Sequence, residues 1–202
     1  GARLIAPVTN FELELDWKHH VYGGNAGGFL WCPESAFTDL PPGALPRSGI
    51  EVQVLDLGYE ENWFNQHGKQ SDWFTSHGDV FPVGASTMTA TTPQITYTYA
   101  DGSTAVVGNP KSSRSFPTQR LTNGVGEWNH YRILAVDGHV TLWVKGLHFK
   151  RATINCDITP VVPAAHVVLK PRANRTRSFK ASTTTASNHV SGTVLFDDLA
   201  FC

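Results

Sequence analysis

Several absences narrow the classes of protein to which this chain can belong. Its 202 residues contain 16 basic and 17 acidic side chains, whereas a nucleic-acid partner needs a basic excess. No apolar run reaches the roughly 18 residues that span a bilayer. No GxGxxG or P-loop motif is present. We therefore expect no nucleic-acid partner, no membrane span and no organic cofactor.

Cysteines are also scarce. Cys32, Cys156 and Cys202 are the only ones, and no CxxC spacing suggests a structural zinc site. At most one pair can form a disulfide bond, and the sequence leaves that pairing open.

What the sequence has in abundance is the two-residue alternation of β-strands. In FELELDW (residues 11–17) four large apolar residues alternate with three acids, as in a strand with one buried face. GIEVQVLD (49–56) repeats the pattern. QITYTYADGSTAVVG (94–108) and EWNHYRILAVDGHVTLWVKG (127–146) are typical of hairpins that turn at Asp-Gly.

The segments between these strands carry no apolar spacing typical of a convincing helix. Glycines predict a turn before the short strand FLWC (29–32), and residues 33–48 and 57–76 are predicted to be long loops. About ten strands joined by hairpins and loops favour an all-β, two-sheet antiparallel sandwich. The length is typical of one domain spanning residues 1–202.

Two polar pairs are the strongest candidates for chemistry. Glu51 and Gln53 lie on one face of their strand, and His77 and Asp79 show the same spacing on a probable neighbour. A carboxylate and an imidazole that converge could bind a divalent metal or perform acid–base catalysis. The competing interpretation is the solvated side of an antiparallel sheet, which is polar by default.

A two-carboxylate glycosidase is disfavoured. Retaining enzymes need two carboxyl groups roughly 5 to 5.5 Å apart, and an E-x-D-x-x-E strand would supply them. Here Glu51 is followed by Gln53 instead of an acid.

Loop aromatics are candidates for sugar binding. Trp63 and Trp73 lie in a polar segment, where their rings either stack on a sugar or pack the loop onto the sheet. The sequence does not separate these two interpretations.

A series of motifs resembles the 3-keto-disaccharide hydrolase domain family, formerly a domain of unknown function. They are NFELELDWK, GGNAGGFLWCPES, SGIEVQVLD, HGDVFPV, GEWNHYRI and HVTLWVKG, in that order within residues 10–160. The resemblance implies a jelly roll of the concanavalin/laminarinase type and a carbohydrate partner. It further implies cleavage of glycosides oxidised at C3, by deprotonation at C2, elimination and hydration. This route needs one base and an electrophile, which agrees with the missing second carboxylate.

The resemblance also implies roles for individual residues. Glu51 is the expected base or metal ligand, and His77 and Asp79 complete the catalytic set. His77 is also the expected second ligand of one divalent ion. Gln53 is expected to orient the substrate. Trp31 stands where many relatives carry an arginine and is placed among the substrate contacts with Trp63 and Trp73.

Other features depart from that family. Few residues precede the first long strand, and the tail over residues 161–202 diverges apart from its closing strand. A partner chain or a further segment is therefore expected to complete the sandwich. The resemblance implies an extracytoplasmic, periplasmic or secreted, bacterial protein. The alternatives to an enzyme are a non-catalytic glycan-binding module and a structural or interaction sandwich.

Overall fold

Two antiparallel sheets and a separate hairpin make up the fold. The computed structural model describes residues 2–3, 9–41, 44–99, 101–145, 152–157, 166–170, 178–185 and 194–196. The five-stranded sheet has the order β1-β12-β3-β4-β5, and the seven-stranded sheet has the order β14-β13-β2-β9-β10-β11-β6. The two-stranded sheet is β7-β8.

The bounds of the elements follow the chain. The strands are β1 (Ala2–Arg3), β2 (Phe11–Lys18), β3 (Asn25–Cys32), β4 (Ser48–Leu55), β5 (Val80–Gly84), β6 (Thr89–Ala90), β7 (Gln94–Thr98), β8 (Thr104–Gly108), β9 (Asn129–Val136), β10 (His139–Lys145), β11 (Ala152–Asp157), β12 (His166–Lys170), β13 (Ser178–Thr185) and β14 (Val194–Phe196). One α-helix, α1 (Gly58–His67), and a 3₁₀ turn (Glu34–Ala36) complete the described elements.

The core lies between the two large sheets, as the alternation predicts. Phe11, Leu13, Leu15 and Trp17 of β2 are buried and share one apolar cluster with residues of β9 and β10. Ile50, Val52 and Val54 of β4 enter the same cluster from the opposite sheet. The predicted all-β antiparallel sandwich is therefore confirmed.

Both predicted hairpins are present. β9 and β10 pair directly, and Asp137 and Gly138 between them have φ angles of 49° and 80°, as a tight two-residue turn requires. Asn10 accepts a hydrogen bond from the Asp137 N–H at 2.9 Å, which ties the start of β2 to this turn. β7 and β8 pair around Asp101-Gly102.

The helix α1 contradicts the predicted loop over residues 57–76. Its buried members are Gly58 and Glu60, so it has no apolar stripe from which a helix could be predicted. Asp56 accepts the Gly58 N–H at 3.0 Å, and Gly68 ends the helix with a φ of 67°. An acid before the helix and a glycine after it were the available signals.

Strand β3 contradicts the turn predicted at its glycines. The strand begins at Asn25 and runs through Gly27 and Gly28, each opposite a residue of β4. Trp31 has a φ of 48°, and the register with β12 shifts beside it. This β-bulge places Leu30 and Trp31 consecutively in the core cluster.

The divergent tail supplies strands to both large sheets. β12 lies between β1 and β3, and β13 pairs along the whole length of β2. The closing strand is described over Val194–Phe196, beside β13. Completion of the sandwich by a partner chain or further segment stays a prediction.

Cys32 is buried and not disulfide-bonded, and its thiol donates to the carbonyl oxygen of Ser48 at 3.1 Å. Cys202 lies outside the described residues.

The helix α1 is too short and too polar to cross a membrane, and no other helix in the described ranges qualifies.

The core makes a direct stability prediction. Leu142→Ala removes a fully buried side chain, and we expect it to lower the free energy of unfolding by about 2–5 kcal/mol. Leu45→Ala, at an exposed position, is the matched control and should change it by less than about 0.5 kcal/mol. Urea denaturation measures both, and equal losses would contradict the assigned core.

Candidate active site

The pairing of β4 with β5 brings the two predicted polar pairs next to each other. Glu51 lies opposite Phe81, and the backbone N–H of Gln53 donates to the carbonyl oxygen of Asp79 at 2.8 Å. Gly78 faces the core, since a Cβ there would lie 3.0 Å from the hydroxyl of Tyr131. The side chains on either side of it, His77 and Asp79, contact Glu60 and Arg114 respectively.

The two pairs are not solvated. Glu51, Gln53, His77 and Asp79 are all buried, although Glu51 and Gln53 alternate with the core residues of β4 and so lie on the side of the sheet turned away from the core. The interpretation as an ordinary solvent-facing sheet surface is therefore wrong for these four residues. Helix α1 and the segments around residues 71–76 and 112–122 supply the groups that contact His77 and Asp79.

The position of the Glu51 carboxylate requires a residue without a side chain, Gly27, on the neighbouring strand β3. A Cβ at Gly27 would lie 2.3 Å from Oε1 of Glu51, which is far inside van der Waals contact. The carboxylate thus occupies the space above β3 that a side chain would fill. Gln53 lies beside it, and its amide nitrogen donates to Oδ1 of Asn25 at 3.2 Å.

Asp79 is held by an arginine and a threonine. Its Oδ2 accepts bonds from the Thr75 N–H at 2.8 Å and from Nη1 of Arg114 at 2.9 Å, and its Oδ1 accepts from the Thr75 hydroxyl. The Arg114 guanidinium lies 3.8 Å from the centre of the Phe81 ring. Burial nevertheless outweighs these contacts and raises the pKa of Asp79 from 3.8 to about 6.

His77 is a neutral hydrogen-bond donor in this arrangement. Its Nδ1 accepts the N–H of Thr122 at 3.2 Å, so the proton of the neutral ring is on Nε2. Burial, and then the charge of Arg120, hold the pKa of His77 well below 6.5. Nε2 lies 3.9 Å from Oε1 of Glu60.

Binding of a divalent metal by Glu51 and His77 stays a prediction. Across the described ranges, no three His, Cys, Asp or Glu side chains are close enough to hold an ion.

The predicted aromatic contacts divide into two groups. Trp63 and Trp73 meet edge to face with ring centres 6.0 Å apart, and Trp73 is 50% exposed. Trp31 does not reach this surface, and its assignment as a substrate contact is wrong. The bulge directs it into the core, where it meets Phe11 edge to face and donates to the carbonyl oxygen of Thr9.

Three charged residues of the site were not predicted. Arg114 pairs with Asp79, and Arg120 pairs with Glu60 at 2.9 Å. The available signal was indirect, because a buried acid requires a cationic or hydrogen-bonding partner from elsewhere in the chain. Nothing in the local sequence shows which arginine that is.

The raised pKa of Asp79 makes a prediction about pH. The folded state holds the proton more tightly than the unfolded chain, so this group lowers stability as pH rises from about 4 to about 6, by roughly 3 kcal/mol in total. Asp79→Asn should abolish that decline, as measured by urea denaturation across this range. Asp72→Asn removes an exposed acid paired with Lys69 and should keep the wild-type decline. An unchanged slope in Asp79→Asn would contradict the assignment.

Comparison with known proteins agrees with the motif analysis. No curated protein shows a significant match to the chain. A crystal structure of a protein from Parabacteroides distasonis, provisionally named a glycosyl hydrolase, is similar with a TM-score of 0.48 and 15% sequence identity. The alignment covers 88% of this chain and 71% of that one. The family described as the 3-keto-alpha-glucoside-1,2-lyase-like domain matches residues 4–157, more than half of the sequence. The chain therefore belongs to the 3-keto-alpha-glucoside-1,2-lyase-like domain family.

Proposed function

We propose that this protein cleaves 3-keto-glycosides by elimination followed by hydration. Membership of the family associates the chain with carbohydrates, and the site geometry supports the finer proposal. The observation that carries it is the buried carboxylate of Glu51, which occupies the space that Gly27 leaves open.

The chemistry requires one base. A ketone at C3 acidifies the proton on C2, and Glu51 accepts that proton as the C2–H bond breaks. The electron pair forms the C1=C2 double bond while the C1–O bond breaks, and the leaving oxygen takes up a proton. Water then adds across the enone, so the net result is hydrolysis.

The environment of Asp79 supports this route over a two-carboxylate mechanism. Asp79 is the other acid predicted to be catalytic, but Thr75 and Arg114 occupy both of its oxygens. An acid held in this way is a positioning group for the loops around the site. Gln53, beside Glu51, offers an amide that can orient a sugar hydroxyl or the ketone.

A divalent ion would stabilise the developing enolate if one were bound. Glu51 would be the oxygen ligand for that ion. We also propose an extracytoplasmic location for the protein. Both rest on the family resemblance alone.

A glycan-binding module is the second candidate, favoured by one observation. Trp73 is half exposed and lies edge to face against Trp63 and Phe74, which makes a rigid apolar surface of the kind on which sugar rings stack. On this interpretation the aromatic cluster binds carbohydrate without any chemical step at Glu51.

Glu51→Gln tests the base. With a methyl 3-keto-α-glucoside as substrate, we expect the rate of methanol release to fall roughly 10²–10⁴-fold, because the amide cannot accept the C2 proton. Glu14→Gln, an exposed acid on the other sheet, should leave the rate unchanged. Parallel reactions with a chelator and with added divalent ions test the metal.

Two outcomes would reject this assignment. No release by the wild-type protein under any metal condition removes the elimination chemistry and favours the glycan-binding module. Release that persists in Glu51→Gln removes Glu51 from the mechanism.

Gly27→Ala tests the space beside that carboxylate. The added methyl group would displace Oε1 of Glu51, and a misplacement of about 1 Å costs roughly 100-fold in rate. In Gly124→Ala the new Cβ would make an ordinary 3.8 Å contact with Leu57, so this control should retain wild-type kcat. Equal rates in the two variants would show that the position of Glu51 is not critical.

A further inference from the structure

A backbone pairing beside β5 extends the five-stranded sheet by one short segment. The Ser115 N–H donates to the carbonyl oxygen of Val80 at 2.8 Å, and the Val80 N–H donates to that of Ser115 at 3.0 Å. This antiparallel bridge places Arg114 next to Phe81, one position along the register. Phe81 is paired on its other side with Glu51. Glu51, Phe81 and Arg114 therefore form one row across three neighbouring segments.

The three side chains of this row lie on the same side of the sheet. Val52 and Val80 are paired and both belong to the core cluster. The residues next to them, Glu51 and Phe81, therefore face away from the core. The Arg114 guanidinium lies 3.8 Å from the centre of the Phe81 ring. A carboxylate and a guanidinium thus share this outer face, on either side of one aromatic residue.

Arg114 is held in one orientation and still reaches solvent. Its backbone N–H donates to the Ser112 hydroxyl at 3.0 Å, and its Nη1 donates to Oδ2 of Asp79 at 2.9 Å. The side chain is 15% exposed, and the half-exposed ring of Trp73 lies 5.4 Å away. A guanidinium has five N–H donors in a planar fork. One cation can therefore hold Asp79 and donate to a second oxygen atom at the same time.

The proposed elimination needs such a donor. When Glu51 takes the C2 proton, the electron pair of the broken C2–H bond delocalises onto the C3 oxygen, and it then returns to expel the oxygen on C1. A preorganised cation that donates to the C3 oxygen lowers the barrier, because it meets the charge as that charge develops.

The spacing of the row suits this task. Contacts of about 3 Å from the base to C2 and from the donor to the C3 oxygen span roughly 8 Å when the sugar atoms are included. Two inter-strand spacings, roughly 10 Å, separate the backbones of Glu51 and Arg114. The two lengths are comparable, so one sugar ring can contact both side chains.

We propose that Arg114 is the electrophilic group of the reaction and donates hydrogen bonds to the C3 oxygen of the sugar as the enolate forms. Asp79 then acts on the reaction through Arg114, whose guanidinium it orients. This inference rests on the proposed reaction at Glu51.

Hydrogen exchange at C2 tests the step in which the charge develops. The C-methyl glycoside of 3-keto-glucose can form the enolate but cannot lose its C1 substituent. In D₂O with a chelator, we expect the wild-type protein to replace the C2 hydrogen with deuterium, followed by proton NMR. Arg114→Gln combined with Asp79→Asn removes both members of the ion pair, so neither charge is left without its partner. This double variant should slow the exchange roughly 10²–10³-fold, the loss expected for one donor to an oxyanion.

Two single variants are the controls. Asp79→Asn keeps the arginine and an acceptor for it, and should slow the exchange by less than about tenfold. Arg132→Gln, whose parent arginine pairs with Glu12 on the other sheet, should exchange at the wild-type rate. If the double variant does not fold, Arg114→Lys replaces it. Because lysine offers a point charge in place of the planar fork, exchange should then slow by about tenfold or more.

Two results would overturn the role of Arg114. Equal slowing in Asp79→Asn and in the double variant would show that the arginine only holds Asp79. Exchange that requires added divalent ions and is unchanged in the double variant would assign the enolate to a metal.

The two proposals can fail separately. Exchange that depends on Arg114, without methanol release from the methyl 3-keto-α-glucoside, supports the role of Arg114 and rejects the elimination. Methanol release that Glu51→Gln abolishes and the double variant retains supports the elimination and rejects the role of Arg114. Absence of both exchange and release rejects both proposals.

Discussion

The ion pair between Asp79 and Arg114 is the constraint on which the arrangement of the outer face depends. A carboxylate taken out of water needs a cation and donors nearby, and Asp79 obtains them from the segment after β8 and from Thr75. The carboxylate of Glu60 is held in the same way, by an ion pair with Arg120 and a hydrogen bond from the backbone N–H of Ser76. These contacts join α1 and the segments around residues 71–76 and 112–122 to the residues that precede β5.

Much of the sandwich could be predicted because its signal is local. In β2 and β4 each apolar residue is two positions from the next, and this period alone identifies the core side of a strand. The two Asp-Gly turns are equally local, since both need backbone angles that this dipeptide adopts easily. The shared face of Glu51 and Gln53 on β4 followed from the same reasoning.

What escaped prediction depends on contacts distant in the chain. Helix α1 buries Glu60 in place of an apolar stripe, so its pattern resembles that of a polar loop. Trp31 is directed inward by a bulge that arises from the register of β12, which follows it by more than 130 residues. The closeness of Glu51 to Gly27, and the choice of Arg114 and Arg120 as partners, are likewise products of tertiary packing.

The buried thiol of Cys32 has a consequence for how the protein can be followed in solution. Burial raises the pKa of Cys32 to about 12, so almost no thiolate, the reactive form, exists at neutral pH. An alkylating reagent therefore reaches this sulfur mainly through opening of β3 and β4, where the thiol contacts Ser48. The rate at which Cys32 is modified consequently reports how often these two strands separate. It therefore measures local unfolding of the five-stranded sheet.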